Sequence, residues 1–370
     1  MEDVYNEVIN IIDLRNQNAV NSAYAGKITK SIHKSYKSSF NVAFGELQEF
    51  SQEKNIILDI DTFNEIICLE FQNWLIESKG LALSTVRNRI KRISHILKRA
   101  FEKNYTSNRS YLLDEFKVKV PPTVSTSLTE EEIKLLYEYD LSTNAKLEKI
   151  RDLFVLASHT GLRFSDVTRI QLDHIDLKRK MIKIMTSKSS KTDSYKYAHF
   201  KFFGYTESIL EKYNYDISLI SISNQKANEY LKELFKMIHY FNEKEIKIEV
   251  PSNSGVKFIK HNFLQLIDFH TSRRSFCTNR YCDGWELLQI WDYTTHSDES
   301  TFKTYFRPTP EHERIRKENI RIRSQKLQEI DFKEKQLEIL QKQMQQILEL
   351  HEKGDLESVG KIIQMNQNAL

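Results

Sequence analysis

At 370 residues, with 40% hydrophobic and 29% charged side chains, the chain can bury a large core and is expected to hold two or more domains. No apolar run approaches the length of a membrane span and the helical-looking start is no signal peptide, so a cytoplasmic protein without membrane contact is expected. A formal charge of +4 barely favours a polyanionic partner, and Cys68, Cys277 and Cys282 are too scattered for a disulfide framework or a zinc site, so no metal is expected.

Only nine glycines and five prolines imply long helices and few tight turns. Residues 1–34 read as a helical lead-in, with a helix through Val8, Ile9, Ile11, Ile12 and Leu14. From Ser35 to Tyr105 the periodicity is helical, with one face of Phe40, Phe44, Leu47 and Phe50 and another of Phe63, Ile66, Ile67, Phe71 and Leu75. The most informative helix starts at Ser84, a reasonable N-cap. Its residues Val86, Ile90, Ile93, Leu97, Ala100 and Phe101 point to a core, while Arg87, Arg89, Lys91, Arg92, Lys98 and Arg99 take the remaining surface almost without acidic partners. A solvated charged face is the ordinary reading of such a run; missing counter-charges favour a surface for a polyanion.

Residues 35–117 form the expected helical domain, and 118–127, flanked by Lys117 and containing Lys119, Pro121 and Pro122, a basic linker. Thr129-Glu-Glu-Glu132 then opens a helix as a capping box. An apolar helical stretch is expected over 148–170, with Gly161 as a turn presenting Arg163, and Ser165 and Asp166 opening the following helix. Met181 to Lys188 alternates like a strand, with Tyr195 to Phe200 as its partner and 189–194 as the hairpin tip. Residues 241–262 read as a polar strand or loop excursion. A second domain over 128–310 ends at the break Phe306-Arg-Pro308-Thr-Pro310. Residues 311–370 hold a long helix, in which Ile330, Leu337, Leu340, Met344 and Ile347 fit a short coiled-coil seam.

Chemistry concentrates in two fragments more than a hundred residues apart: Thr160-Gly-Leu-Arg163-Phe-Ser-Asp166, and His270-Thr-Ser-Arg273-Arg274-Ser-Phe276 followed by Thr295-His296 and Tyr305. Arginine's planar fork pairs with two phosphate oxygens, histidine moves a proton near neutral pH, and a tyrosine oxygen becomes a nucleophile when nearby cations stabilise its anion. Any one of seventeen tyrosines is ordinarily core or surface.

These fragments, in this order and spacing, resemble the tyrosine recombinase (phage-type integrase) family, in particular the subgroup carried by bacterial mobile elements, over roughly Ser35 to Pro308. The resemblance implies a mainly α fold with a small antiparallel β-sheet (α+β), in which a helical core-binding domain and a catalytic domain clamp double-stranded DNA. It further implies a site-specific recombinase that needs no cofactor, metal or ATP and acts as a homo-oligomer, a tetramer in the synapse, with the C-terminal helix either docking on the neighbouring protomer or packing on its own domain. Tyr305 would attack a phosphate to give a 3′-phosphotyrosyl link, Arg163 and Arg273 would hold its oxygens, and His270 and His296 would orient it. A hairpin lysine would protonate the departing 5′ oxygen: Lys188, with Lys191 the alternative and otherwise a DNA contact beside Arg274. The chain departs from the family in carrying Thr295 where Gly is usual before the last histidine, and a turn needing positive φ would be strained there. The rival readings are a type IB topoisomerase, with the same cleavage but no strand exchange, and a non-catalytic DNA-binding protein on the same fold.

Overall fold

The computed structural model describes residues 1–24, 34–121, 124–186, 197–252, 255–295, 302, 306 and 309–352. The chain divides into two compact units: Met1–Ser125 with Met185–Tyr197, and Thr126–Ile184 with Ala198–Leu370.

Apolar spacing builds the first unit from four helices, α1 (Glu2–Tyr24), α2 (Lys34–Lys54), α3 (Glu65–Glu77) and α4 (Leu83–Glu102). Val4, Val8 and Ile12 of α1 fall on one stripe at i, i+4, i+8 and join Phe40, Leu47, Phe71, Ile90 and Leu97 in a single core. Leu14, expected on that face, is exposed, because the stripe has rotated past it.

Two expectations about α4 are corrected. Its N-cap is Ala82, not Ser84: the amides of Thr85 and Val86 donate to the Ala82 carbonyl (2.8 and 3.0 Å), which places Ser84 within the first turn. Nor does its basic face lack counter-charges. Arg89 pairs with Glu46 of α2 at 2.5 Å, Arg99 with Glu7 of α1 at 3.5 Å, and Lys98 with Glu102 at 3.7 Å. Arg92 lies over the rings of Tyr36 and Phe40. These partners lie on other helices or at the helix end, so the local run of basic residues did not reveal them. Arg87 and Lys91 make no ion pair among the described residues. Lys117 pairs with Asp114 at 2.8 Å, after two single 3₁₀ turns that bury Phe116.

The second unit opens with α5 (Glu130–Glu138), whose capping box joins Thr129 and Glu132. Next comes α6 (Ala145–Thr160), buried on nearly every side and the axis of the larger core. The expected helical stretch to residue 170 is broken at Gly161 (φ +65°), where a Cβ would lie 2.6 Å from the Phe276 ring, and resumes as α7 (Phe164–Val167).

Strands β1 (Ile175–Asp176), β2 (Met181–Met185) and β3 (Tyr197–Lys201) form one sheet in that order, with β1 antiparallel to β2 and Ile175 opposite Ile182. Ile182, Ile184, Ala198 and Phe200 are its buried face. β2 stops at Met185, short of the expected Lys188; the hairpin tip and Tyr195 lie outside the described residues.

Helices α8 (Thr206–Lys212), α9 (Asn224–Met237) and α10 (His239–Glu243) follow. The stretch read as a polar strand or loop is an antiparallel hairpin of β4 (Glu245–Ser252) and β5 (Gly255–Asn262), with Ile248 opposite Ile259. Then come α11 (Phe263–Leu266), α12 (Phe269–Cys282), α13 (Leu287–Thr294) and the long α14 (Pro310–Glu352). The fold is thus mainly helical with small antiparallel sheets. No helix among the described residues is long and apolar enough to cross a membrane.

Candidate active site

The site is assembled where the C-terminal end of α6 meets the start of α12. Gly161 ends α6 in the left-handed conformation and turns the chain so that Arg163, in extended geometry, becomes the N-cap of α7. The carbonyl of Arg163 accepts from the amides of Asp166 and Val167 (2.8 and 2.9 Å), and the fully buried Asp166 carboxylate accepts from Arg169 at 2.8 Å. Asp166 thereby holds the turn. The Nη1 atom of Arg163 is buried and has no hydrogen-bond partner among the described residues. A buried guanidinium N–H left unbonded is costly, and an anionic ligand would satisfy it.

Helix α12 begins with a reciprocal cap. Asp268 Oδ1 accepts from the Thr271 amide at 2.8 Å, and Thr271 Oγ1 accepts from the Asp268 amide at 3.2 Å. His270 therefore sits in the first turn, and Arg273 and Arg274 in the next. Arg273 is the largest fully buried side chain, at 1% exposure. Its Nη1 donates to the Gly161 carbonyl at 2.6 Å and its Nη2 to the Thr294 carbonyl, so one fork ties α12 to the turn before Arg163 and to the end of α13. Arg274 lies 3.6 Å from Asp268.

The charges converge on His270. Burial first, then Arg274, Arg273 and Arg163, together bring its pKa down to about 4 against the opposing pull of Asp268. The imidazole is therefore neutral at pH 7 and able to accept a proton or a hydrogen bond. Within this second unit, Ser275 Oγ of α12 accepts from the Leu128 amide at 2.8 Å and Asn279 donates to the Leu128 carbonyl at 3.2 Å, which fixes the unit's first residues to the site helix.

Helix α13 ends on Thr295 at φ +52°, ψ +43°, with its hydroxyl buried and without a hydrogen-bond partner among the described residues. The left-handed turn suspected at this position is present, and a β-branched residue occupies it. His296 is next in the chain but, like Tyr305, Lys188 and Lys191, lies outside the described residues.

Of the residues singled out from sequence, Arg163, His270, Arg273 and Arg274 are thus brought together. Arg87, Arg89, Lys91, Arg92, Lys98, Arg99, Lys117 and Lys119 belong to the first unit. The reading missed the backbone carbonyls that hold Arg273, for which no side-chain signal exists. It also missed Asp268, whose Asp-x-x-Thr spacing is a legible cap.

The phage integrase family model matches residues 126–312, and the phage integrase SAM-like domain model residues 18–120. The chain belongs to the phage integrase family. It is 24% identical over 204 residues to the tyrosine recombinase XerA of Thermococcus onnurineus, covering 55% of this chain and 66% of that one. It is 26% identical over 210 residues to XerA of Thermococcus kodakarensis, again covering 55% and 66%. The chain therefore spans just under two thirds of the length of these relatives. Among solved structures, the Tn1549 transposon integrase in complex with circular intermediate DNA superposes with a TM-score of 0.56 at 14% identity, covering 76% of this chain and 93% of that one. The lambda integrase dimer bound to a core site gives a TM-score of 0.57 at 11% identity, covering 82% and 94%. At these identities the likeness is one of fold.

Proposed function

We propose that the chain is a site-specific DNA recombinase or integrase of a mobile element, which cleaves and rejoins double-stranded DNA through a 3′-phosphotyrosyl link to Tyr305. The observation that carries this reading is the buried Nη1 of Arg163, which has no hydrogen-bond partner among the described residues, beside the α12 turn of His270 and Arg273. Phosphoryl transfer asks a protein mainly for positioning and charge stabilisation, and two preorganised guanidinium groups supply both. Arg163 and Arg273 hold the non-bridging oxygens. Neutral His270 orients the phosphate and takes part in proton movement, and His296 hydrogen-bonds the phosphate. Lys188, or Lys191 in its place, protonates the departing 5′ oxygen. The phosphate ester to Tyr305 conserves the energy of the broken bond, so a second 5′-hydroxyl reverses the step without ATP.

The same reading assigns 1–34 as a lead-in, 35–117 as a core DNA-binding domain, 118–127 as a linker, 128–310 as the catalytic domain and 311–370 as a C-terminal helical tail. Arg87 and Lys91, which have no acidic partner among the described residues, are the α4 cations best placed to serve DNA phosphates; Lys119 and Arg274 add further contacts. Four protomers act together on DNA in the cytoplasm. Incubating the protein with DNA carrying the repeats that flank its gene tests the assignment. Recombinant joints are expected; relaxation of supercoils without joints would replace the recombinase reading by a type IB topoisomerase.

A further inference from the structure

The first turns of α14 are anchored. Arg316 donates to the carbonyls of Tyr281 and Trp285 (2.9 and 2.5 Å) and pairs with Glu286 at 2.7 Å, and Asn319 donates to the Cys282 carbonyl at 3.0 Å. Tyr281 donates to Glu313, and Ile320 closes over Gly284. Beyond Ile320 the helix continues to Glu352, and every described side chain from Arg321 to Gln345 is exposed. That is roughly 50 Å of helix at 1.5 Å per residue. Among the described residues, its ion pairs there, such as Lys335 with Asp331, are within the helix itself. Yet Ile330, Leu337, Leu340 and Met344 are 52, 56, 53 and 64% exposed. A helix held only by its own backbone is marginal in water, and such a stripe has no role unless something covers it.

We propose that the distal part of α14 is a dimerisation helix that pairs in parallel, in register, with α14 of a second copy of this chain, before and independently of DNA. Ile330, Leu337 and Met344 occupy one core position of a seven-residue repeat, and Leu340 and Ile347 the other. Lys333 takes that second position in the first heptad. In a parallel pair its stem lies in the seam and its ammonium reaches Glu334 of the opposite helix, the residue flanking that layer. The contact occurs twice by symmetry and is lost when the register slips. One heptad further on, Gln336 of one helix faces Gln341 of the other. The segment from Arg321 to Glu352 carries six basic and six acidic residues, so it is electrostatically matched to its own copy rather than to a strongly charged partner. Phe332 and Ile339 lie off this seam. The pairing does not rest on the phosphoryl-transfer reading, and it brings two catalytic units to DNA together.

The test uses the full chain without DNA at micromolar concentration. Light scattering is expected to give the mass of two chains. The Leu337→Glu/Leu340→Glu double variant is expected to give the mass of one, with less helix by circular dichroism but unchanged tryptophan-monitored unfolding, because neither side chain packs on its own unit. Under oxidation, Leu340→Cys should cross-link two chains readily while Ile339→Cys should not; the parent chain, whose cysteines are buried or half-buried, is the control. Lys333→Glu should weaken the pair and added Glu334→Lys restore it. A single-chain mass at every concentration, cross-linking at residue 339 as fast as at 340, or a dimer that survives the double variant would each overturn the proposal.

Discussion

Thr295→Gly should make the protein more stable. The threonine holds φ +52°, ψ +43°. That conformation costs an L-residue about 1–2 kcal/mol, and a β-branched one sits at the upper end. The buried hydroxyl, unbonded among the described residues, adds about 1 kcal/mol. Glycine relieves both, but gives back roughly 0.5–1 kcal/mol through the greater freedom of the unfolded chain. The balance is a gain of about 1–2.5 kcal/mol, or a midpoint rise of roughly 2–10 °C for a unit of this size. Urea unfolding followed by the fluorescence of Trp285 and Trp291, which pack beside this helix end, measures it. Thr295→Ala is the control: it removes the hydroxyl and keeps the strain, so its gain must be smaller. If glycine destabilises the protein, or if alanine stabilises it equally, the strain is not where the geometry puts it.

Three further outcomes follow from the same geometry. Arg273→Lys removes the fork that bonds the Gly161 and Thr294 carbonyls, which should cost about 2–4 kcal/mol of stability and reduce strand cleavage at least about a hundredfold; unchanged unfolding would show that the fork is not a tie. His270 binds its proton near pH 4 when folded and near 6.5 when unfolded, so the unfolded chain holds more protons between those values. Stability from this group is then complete above about pH 6.5 and lost as the pH falls toward 4; an imidazole NMR titration centred near 6.5 in the folded protein would contradict this. For DNA binding, Arg87→Ala and Lys91→Ala should each flatten the salt dependence of affinity by about one counterion, as read by anisotropy across a salt series. Arg89→Ala should instead lower stability, because its partner is Glu46; equal slopes for all three variants would count against the division.

Much of this arrangement could be read from residues close together in the chain. The capping box at Thr129, the turn at Gly161 and the strand alternation at Met181 depend on a few neighbouring side chains, and the structure has them. The four site residues Arg163, His270, Arg273 and Arg274 could be gathered only through resemblance, because nothing local in either fragment says that they meet. What escaped was long-range or carried by the backbone. Glu46 and Glu7 neutralise α4 from helices 43 and 92 residues away. The two carbonyls that fix Arg273 have no sequence signature. For residues 241–262 the alternation of Lys and Ile allowed a strand, but nothing local indicated that two strands pair with each other as a separate sheet.

The most direct measurement is to trap the protein on a nicked suicide substrate and identify the joined residue by peptide mass spectrometry. The account predicts a DNA 3′-phosphate esterified to Tyr305, with no adduct in Tyr305→Phe and a much reduced yield when Arg163 is replaced by Ala. An adduct on another tyrosine, or tight DNA binding that never becomes covalent, would contradict it.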